Sequence, residues 1–223
     1  MAGHYEGRAI YNDAGYVDVP GILSLGLPFN LFQFPRGTGK TYGAIQMIYE
    51  RQFPGKFMWV RRTGVQLDAC ATVELNPFNE WNHRTGSNVC FLKIPGLKFS
   101  AYNIAEAGKD DKGRLVQTGE TLGLGVPILS ITNMRGFQTS DYTHIFFDEY
   151  IPELHEKRVR GEGRAVVSMY ETVNRNRELT GKPPVQFAAF GNTDMLDAPL
   201  HMELGVVRII AEMKRKQKEL YID

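Results

Sequence analysis

The sequence predicts an α/β fold: a mainly parallel β-sheet flanked by helices, with a small β-hairpin as an appendage. Three observations predict it. Residues Phe34–Thr41 read FPRGTGKT, the closing part of a loop that leaves a strand, turns sharply and opens a helix, its backbone N–H groups aimed at phosphate oxygens. Short apolar runs of strand length recur between stretches of helical periodicity, the pattern of βαβ units. One of those runs, Ile145–Phe147, stops on two adjacent acids, Asp148 and Glu149.

Taken in order, Met1–Pro28 is polar and then punctuated by Gly and Pro, and reads as an N-terminal arm or clasp. Leu31–Phe34 reads as a short buried strand. Glycine at positions 37 and 39 supplies φ > 0 and an unobstructed approach to the backbone. Lys40 is placed to reach the β- and γ-phosphates of a nucleotide, and the Thr41 hydroxyl to ligate Mg²⁺. Arg36, Gly37, Thr38, Gly39, Lys40 and Thr41 therefore form the candidate nucleotide-binding loop. Phe34 stands where the full pattern GxxxxGK[ST] has glycine. Thr41–Arg51 carries an apolar stripe of Ala44, Ile45, Met47 and Ile48 and reads as a helix.

KFMWVRR follows a Pro54–Gly55 turn and reads as a buried parallel strand ending at Arg61 and Arg62. Residues at the carboxyl ends of such strands line the ligand crevice, so both arginines are candidate nucleotide contacts. Gly64–Trp81 reads as helix broken at Pro77. Residues 88–102 read as two strands around Pro95–Gly96, the hairpin. Ala105–Glu120 lacks periodicity and reads as a mobile surface loop. Its Lys109, Lys112 and Arg114 are either plainly solvated or contacts for DNA. Gly125–Thr132 is a further apolar strand leading into Met134–Gly136.

The run YTHIFFDEY then gives a buried strand that presents Asp148 to Mg²⁺ and Glu149 to the attacking water. It is expected to neighbour the phosphate-loop strand, either directly or with one strand between. His144 within it reads as a core histidine with a satisfied hydrogen bond. Arg164–Leu179 is helical and ends in Arg175, Asn176 and Arg177. One of these arginines pairs locally and the other points outward, as a candidate for a neighbouring subunit's site. Val185–Phe190 is the last core strand and ends near Asn192, an amide placed to sense γ-phosphate or hold the lytic water. Ile209–Leu220 is a basic amphipathic helix, and LYID resembles the start of a strand. Together the loop and the acidic strand point to a P-loop NTPase domain of the ASCE or RecA-like kind that hydrolyses ATP or GTP.

Composition narrows the class. The chain has 223 residues, 43% hydrophobic and 23% charged, with a formal net charge of +1. That argues for a folded core and against a histone-like basic module, while leaving room for a local basic patch. Cys70 and Cys90, the two cysteines, have no metal-ligand spacing and frame no disulfide scaffold. No signal pattern opens the chain and no apolar run reaches membrane-spanning length. A cytosolic protein without membrane contact is the expectation.

Four blocks occur in a familiar order: PRGTGKTYG, FMWVRRT, HIFFDEYIPE with the later ETVNRNRE, and FGNTD. In combination they resemble the DNA-encapsidation ATPases of small tailed phages of the phi twenty-nine type, compact relatives of the large terminase subunits. The Met134–Arg135–Gly136 block adds to that likeness. The resemblance implies a homomeric ring, usually a pentamer, at the portal vertex of a procapsid in the host cytoplasm. The ring would drive double-stranded DNA through the portal, with ATP and Mg²⁺ as its cofactors, and in some relatives with a structural RNA. It implies that Arg36 is the loop arginine, that Asp148 and Glu149 are the metal and water-activating acids, and that Arg175 is supplied in trans. It also implies that Asn192 is the polar residue after the last core strand. Gly64 stands where a relative has an interface lysine, so that role has no counterpart here.

The implied organisation is an N-terminal arm over 1–28, the ATPase domain over 29–205, and a basic helix over 206–223 leading to a second, nuclease-like domain that this chain lacks. No endonuclease activity is expected, and the isolated chain should be mostly monomeric. The rival readings are a P-loop switch or kinase that moves no DNA, and a binding module with an inactive nucleotide site.

Overall fold

The structure is a computed structural model that describes residues 4–5, 10–130, 138–193 and 195–222. A seven-stranded sheet carries the fold. Its strands are β2 (Phe29–Gln33), β3 (Lys56–Arg61), β4 (Val89–Lys93), β5 (Tyr102–Lys109), β6 (Leu115–Pro127), β7 (Tyr142–Asp148) and β8 (Gln186–Gly191), in the order β2-β8-β7-β3-β6-β5-β4. From β2 through β6 every neighbouring pair is parallel; β5 and β4 complete the sheet antiparallel. The acidic strand β7 is thus separated from the phosphate-loop strand β2 by β8 alone, the second of the two expected arrangements.

Strand alternation sends neighbouring residues to opposite faces, and two cores result. Phe32, Phe57, Trp59, Phe146, Ala188 and Phe190 face α2 (Lys40–Tyr49), α3 (Gly64–Cys70) and α4 (Asn79–Thr85). Met58, Val60, Ile145, Phe147, Phe187 and Ala189 face α5 (Glu162–Asn174) and α6 (Pro199–Glu203). Burial on both faces explains why β3, β7 and β8 read as continuous apolar runs. The helix predicted over Gly64–Trp81 is two helices, α3 and α4, divided around Pro77. Thr63 and Gln66 close a reciprocal capping box at the start of α3. The helix predicted over Arg164–Leu179 is α5, followed by a short 3-10 turn at Glu178–Thr180.

Two expectations are corrected. Ala105–Glu120 is not a loop: β5 and β6 pair through it, with Ala107 opposite Gln117 and Lys109 opposite Leu115. A tight turn joins them, in which the Asp110 carboxylate accepts from the backbone N–H groups of Lys112 and Arg114. The hairpin is also no separate appendage, because β4 and β5 continue the main sheet beyond β6. The strand predicted over Gly125–Thr132 begins ten residues earlier than expected, at Leu115, and ends at Pro127. Met134–Gly136 lies outside the described residues.

Residues 10–28 contribute apolar side chains to the core. Ile10, Val17, Val19, Ile22 and Leu23 are buried, and Asp18 caps the short helix α1 (Val19–Leu23) by accepting from the Gly21 N–H. At the far end α7 (Val207–Lys216) precedes β9 (Tyr221–Ile222), which pairs antiparallel with β1 (His4–Tyr5). Tyr221 and Ile222 of LYID thus pair as a short strand.

Candidate nucleotide-binding site

Four parallel strands deliver their carboxyl ends to one place. Beyond β2 the chain turns through Phe34 and Pro35 and enters α2 with Gly37 at φ 77° and Gly39 at φ 81°, a region open to glycine at no steric cost. Phe34 does not have a positive φ among the described residues. A glycine is therefore not required there on conformational grounds. Instead the Phe34 ring packs against the core and meets Tyr11 edge-on at 6.2 Å.

Lys40 folds back over the loop it closes. Its Nζ donates to the Phe34 carbonyl at 3.0 Å and the Pro35 carbonyl at 2.8 Å, and lies 3.4 Å from Asn192 Oδ1. Asn192 arrives from the end of β8, so the lysine and the amide share one small space. Thr41 Oγ1 donates to Asp148 Oδ1 at 2.9 Å. The loop hydroxyl and the strand-end carboxylate are thus in direct contact, although 107 residues separate them.

Arg61, at the end of β3, spans both acids. Its Nη1 pairs with Asp148 and its Nη2 with Glu149, each at 2.5 Å. Burial disfavours the guanidinium charge, but Asp148 and Glu149 outweigh it and hold Arg61 more firmly protonated than usual. Glu149 sits at φ 55°, a left-handed conformation uncommon for a residue with a Cβ and of the kind concentrated at functional sites. Partial burial raises the pKa of the Glu149 carboxyl from its ordinary value, although its side chain is 57% exposed. Asp148 and Glu156 add to that shift, while Arg61 and Arg36 oppose it.

The donor set fits Mg²⁺. It offers a hydroxyl and a carboxylate, both hard oxygens, beside a phosphate cradle. Mg²⁺ typically takes one or two protein ligands, substrate phosphates and waters rather than an all-protein cage.

Not every candidate joins this site. Arg36 is exposed at its rim and pairs with Glu153. Arg62, the first residue beyond β3, turns the other way. It is 2% exposed, with Nε on Glu162 Oε1 at 2.7 Å and Nη1 on Glu156 Oε2 at 2.5 Å. The expectation that Arg62 contacts nucleotide is therefore corrected: it fixes the segment that follows the acids. Arg175 is exposed at the end of α5. That end lies at the amino-terminal edge of the sheet, where Arg177 donates to the carbonyls of Ser140 and Tyr142 at the start of β7. Arg177 is buried and locally satisfied, so Arg175 is the outward arginine of the pair.

Sequence reading missed Tyr16 and Val17. The Val17 N–H donates to the Thr38 carbonyl at 2.9 Å, and Tyr16 lies against Gly39. The only signal available was the aromatic residue itself within the predicted arm.

The fold is similar to that of the N-terminal domain of the DNA packaging ATPase from bacteriophage phi29. The TM-score is 0.62 at 21% identity, over 89% of this chain and 87% of that one. It is also similar to a chain of the phi29 genome packaging motor assembly, with TM-score 0.52 and 18% identity over 83% of this chain and 47% of that one. The phi28 DNA packaging motor gives TM-score 0.51 and 17% identity, over 77% and 48%. This chain spans about half the length of those two motor chains. No family model matches the sequence, and no curated protein does. The likeness establishes the architecture, an α/β domain with a mostly parallel sheet flanked by helices.

Proposed function

We propose that this chain is the ATP-hydrolysing domain of a motor that drives double-stranded DNA into a viral procapsid. One observation carries the chemical half of the reading: Thr41 of the loop touches Asp148 of the acidic strand while Arg61 grips both acids. The fold shared with the phi29 packaging ATPase domain supports the biological half.

In this reading the backbone N–H groups of residues 37–41 and the Lys40 ammonium bind the phosphates. Thr41 and Asp148 would hold Mg²⁺, which would supply charge neutralisation at the phosphates when bound. Glu149 accepts a proton from water as its oxygen attacks the γ-phosphorus. The bond to the bridging oxygen breaks, and ADP and phosphate leave. Its raised pKa moves Glu149 toward the range useful to a general base. Arg61 holds Glu149 in the structure, so the carboxylate must exchange that partner for water before it can work. Asn192, 3.4 Å from Lys40 Nζ, is placed to report on the γ-phosphate. Arg175, remote from this site in its own chain, serves a neighbour's nucleotide in a homo-oligomeric ring, a pentamer at the portal vertex in the host cytoplasm.

The test is ATP hydrolysis by the full chain with and without double-stranded DNA, beside Lys40→Ala. Stimulation by DNA and its loss in a folded Lys40→Ala variant support the proposal. Hydrolysis indifferent to DNA would favour a switch or kinase, and turnover unchanged by Lys40→Ala would remove the site assignment.

A further inference from the structure

We infer that His201, acting through Tyr150, is a positioning residue that aims Glu149 at the γ-phosphate. The inference deepens the ATPase reading above and rests on it.

Glu149 needs an external hold. Its backbone sits at φ 55°, and a residue with a Cβ keeps that conformation where its surroundings impose it. Its carboxylate is held by Arg61, but that pair must open before water can be activated. Whatever aims Glu149 at that moment must act through the backbone beside it. The next residue supplies the hold. Tyr150 is 1% exposed. Its N–H donates to the Phe190 carbonyl at 3.1 Å, and its hydroxyl lies 2.6 Å from His201 Nε2.

The far side of the imidazole fixes the direction of that hydrogen bond. His201, on α6, is fully buried, and burial disfavours its charged form, so the ring carries one N–H. Nδ1 is 2.8 Å from the Leu196 carbonyl, which can only accept. The proton therefore sits on Nδ1, Nε2 is left as an acceptor, and the Tyr150 hydroxyl donates to it. Two hydrogen bonds in series thus run from the residue after Glu149 to the segment after Asn192.

Both halves of the γ-phosphate end meet on this link. The Tyr150 ring and Ile151 close over Gly191, the residue before Asn192. A Cβ on Gly191 would come 2.7 Å from Tyr150 Cε1 and 2.6 Å from Ile151 Cγ1. The Gly191 carbonyl accepts from the Phe34 N–H of the loop at 3.2 Å, and Asn192 lies 3.4 Å from Lys40 Nζ. Glu149 and Asn192 are therefore set against each other and against the loop by one packed unit, with Tyr150–His201–Leu196 as its buried polar tie. Cutting the tie frees the Tyr150 hydroxyl to seek another partner, and the backbone that aims Glu149 moves with it.

Turnover of MgATP per folded molecule, with double-stranded DNA present, and calorimetric binding of MgADP are measured for the full chain. The variants are Tyr150→Phe, His201→Leu, the two combined, and His201→Gln. Tyr150→Phe removes one oxygen and keeps the ring. It should slow turnover roughly 10- to 100-fold, the order of loss from misplacing a group at the reacting centre by about 1 Å. Affinity for MgADP, which lacks the γ-phosphate, should not change. His201→Leu should do the same, and the combined variant should lose no more than either alone, because both cut one link. His201→Gln keeps an acceptor for the hydroxyl and should keep most of the turnover. Tyr150→Phe decides alone if His201→Leu does not fold. Wild-type turnover per folded Tyr150→Phe molecule, whatever its melting temperature, would mean that the link only supports the fold, and overturns the inference. So would equally weakened MgADP binding, losses that multiply in the combined variant, or a His201→Gln variant as slow as His201→Leu. Turnover unaffected by Lys40→Ala, measured alongside, would instead remove the nucleotide site itself, a result separable from these.

Discussion

Arg61 and Arg62 are neighbours in sequence and belong to different regions of the molecule. Arg61 faces the carboxyl-end crevice and grips Asp148 and Glu149; Arg62 faces the α5 layer and grips Glu156 and Glu162. Arg61 is the last residue of β3 and Arg62 the first beyond it, and their consecutive side chains leave the chain on opposite sides. The two clusters also differ in their settings. Glu149 keeps 57% of its side chain exposed, whereas the Arg62–Glu162 pair is shut away at 1% and 2%. Within the first cluster Glu149 alone is open, since Arg61 and Asp148 are 12% and 9% exposed, and Glu149 is the member that the proposed mechanism requires to exchange partners. Arg175 and Arg177 repeat the contrast at the other edge of the sheet, one exposed and the other buried on backbone carbonyls.

The largest effect expected from breaking this contrast belongs to the second pair. In an assembled ring, Arg175→Ala should slow hydrolysis by about 10³ to 10⁵, the usual worth of an arginine supplied in trans, while leaving thermal stability near wild type. Mixing Arg175→Ala subunits with Lys40→Ala subunits should restore turnover, because each supplies what the other lacks. No recovery at any ratio, with mixed rings shown to form, would place Arg175 outside the mechanism. Next in size, Glu149→Gln should keep ATP binding and lose about 10² to 10⁴ in turnover. Single-turnover kinetics beside equilibrium binding separates the two quantities. The raised carboxyl pKa further predicts an acidic limb of the pH–rate profile displaced upward from that of an ordinary glutamate, absent in the Gln variant.

Arg62 sharpens the comparison from the structural side. Removing one partner of a buried ion pair strands the other, so Arg62→Ala should cost about 3–5 kcal/mol of stability. Replacement of its neighbour, Arg61→Ala, should cost less stability and change the ATPase more. Denaturant unfolding of both variants, read beside turnover per folded molecule, decides the matter. Equal destabilisation would mean that the two arginines do the same work.

Which parts of this were legible in sequence follows from what each part depends on. The glycine turn into α2 and the strand that ends on two acids depend on short local patterns, and FPRGTGKT and HIFFDE marked both. Opposite facing of Arg61 and Arg62 follows from the alternation of consecutive side chains once the end of β3 is located, but the direction of the first arginine depends on register against β7 and β6, a long-range property. The β5–β6 ribbon was invisible because much of its outer half is exposed on both sides, so no alternation of apolar and polar residues marks it. Its order comes from cross-strand pairing and from Asp110 closing the turn. The contact of Val17 with Thr38 was hidden for another reason: the two are more than twenty residues apart, and only the fold brings them together.

The smallest expected effect concerns pH and tests whether the buried edge near Arg177 is as closed as its hydrogen bonds imply. His144 lies on β7 with Nε2 2.9 Å from Gln186 Oε1, and its ring is 4.0 Å from that of Phe53. Burial lowers its pKa to about 4, with Arg177 acting in the same direction and the Gln186 hydrogen bond opposing. The unfolded chain should bind that proton with a pKa near 6.5. Between those two values the unfolded state carries the proton and the folded state does not, so stability falls as pH falls through this window and levels below about 4. One proton limits the slope to about 1.4 kcal/mol per pH unit. Carboxylates add their own pH dependence, so the informative quantity is the difference between wild type and His144→Gln. That difference should change between pH 6.5 and 4 with the slope of a fraction of one proton, and be flat above pH 7. A flat difference across the whole range would mean that His144 takes up its proton in the folded protein, and that the edge held by Arg177 opens to solvent.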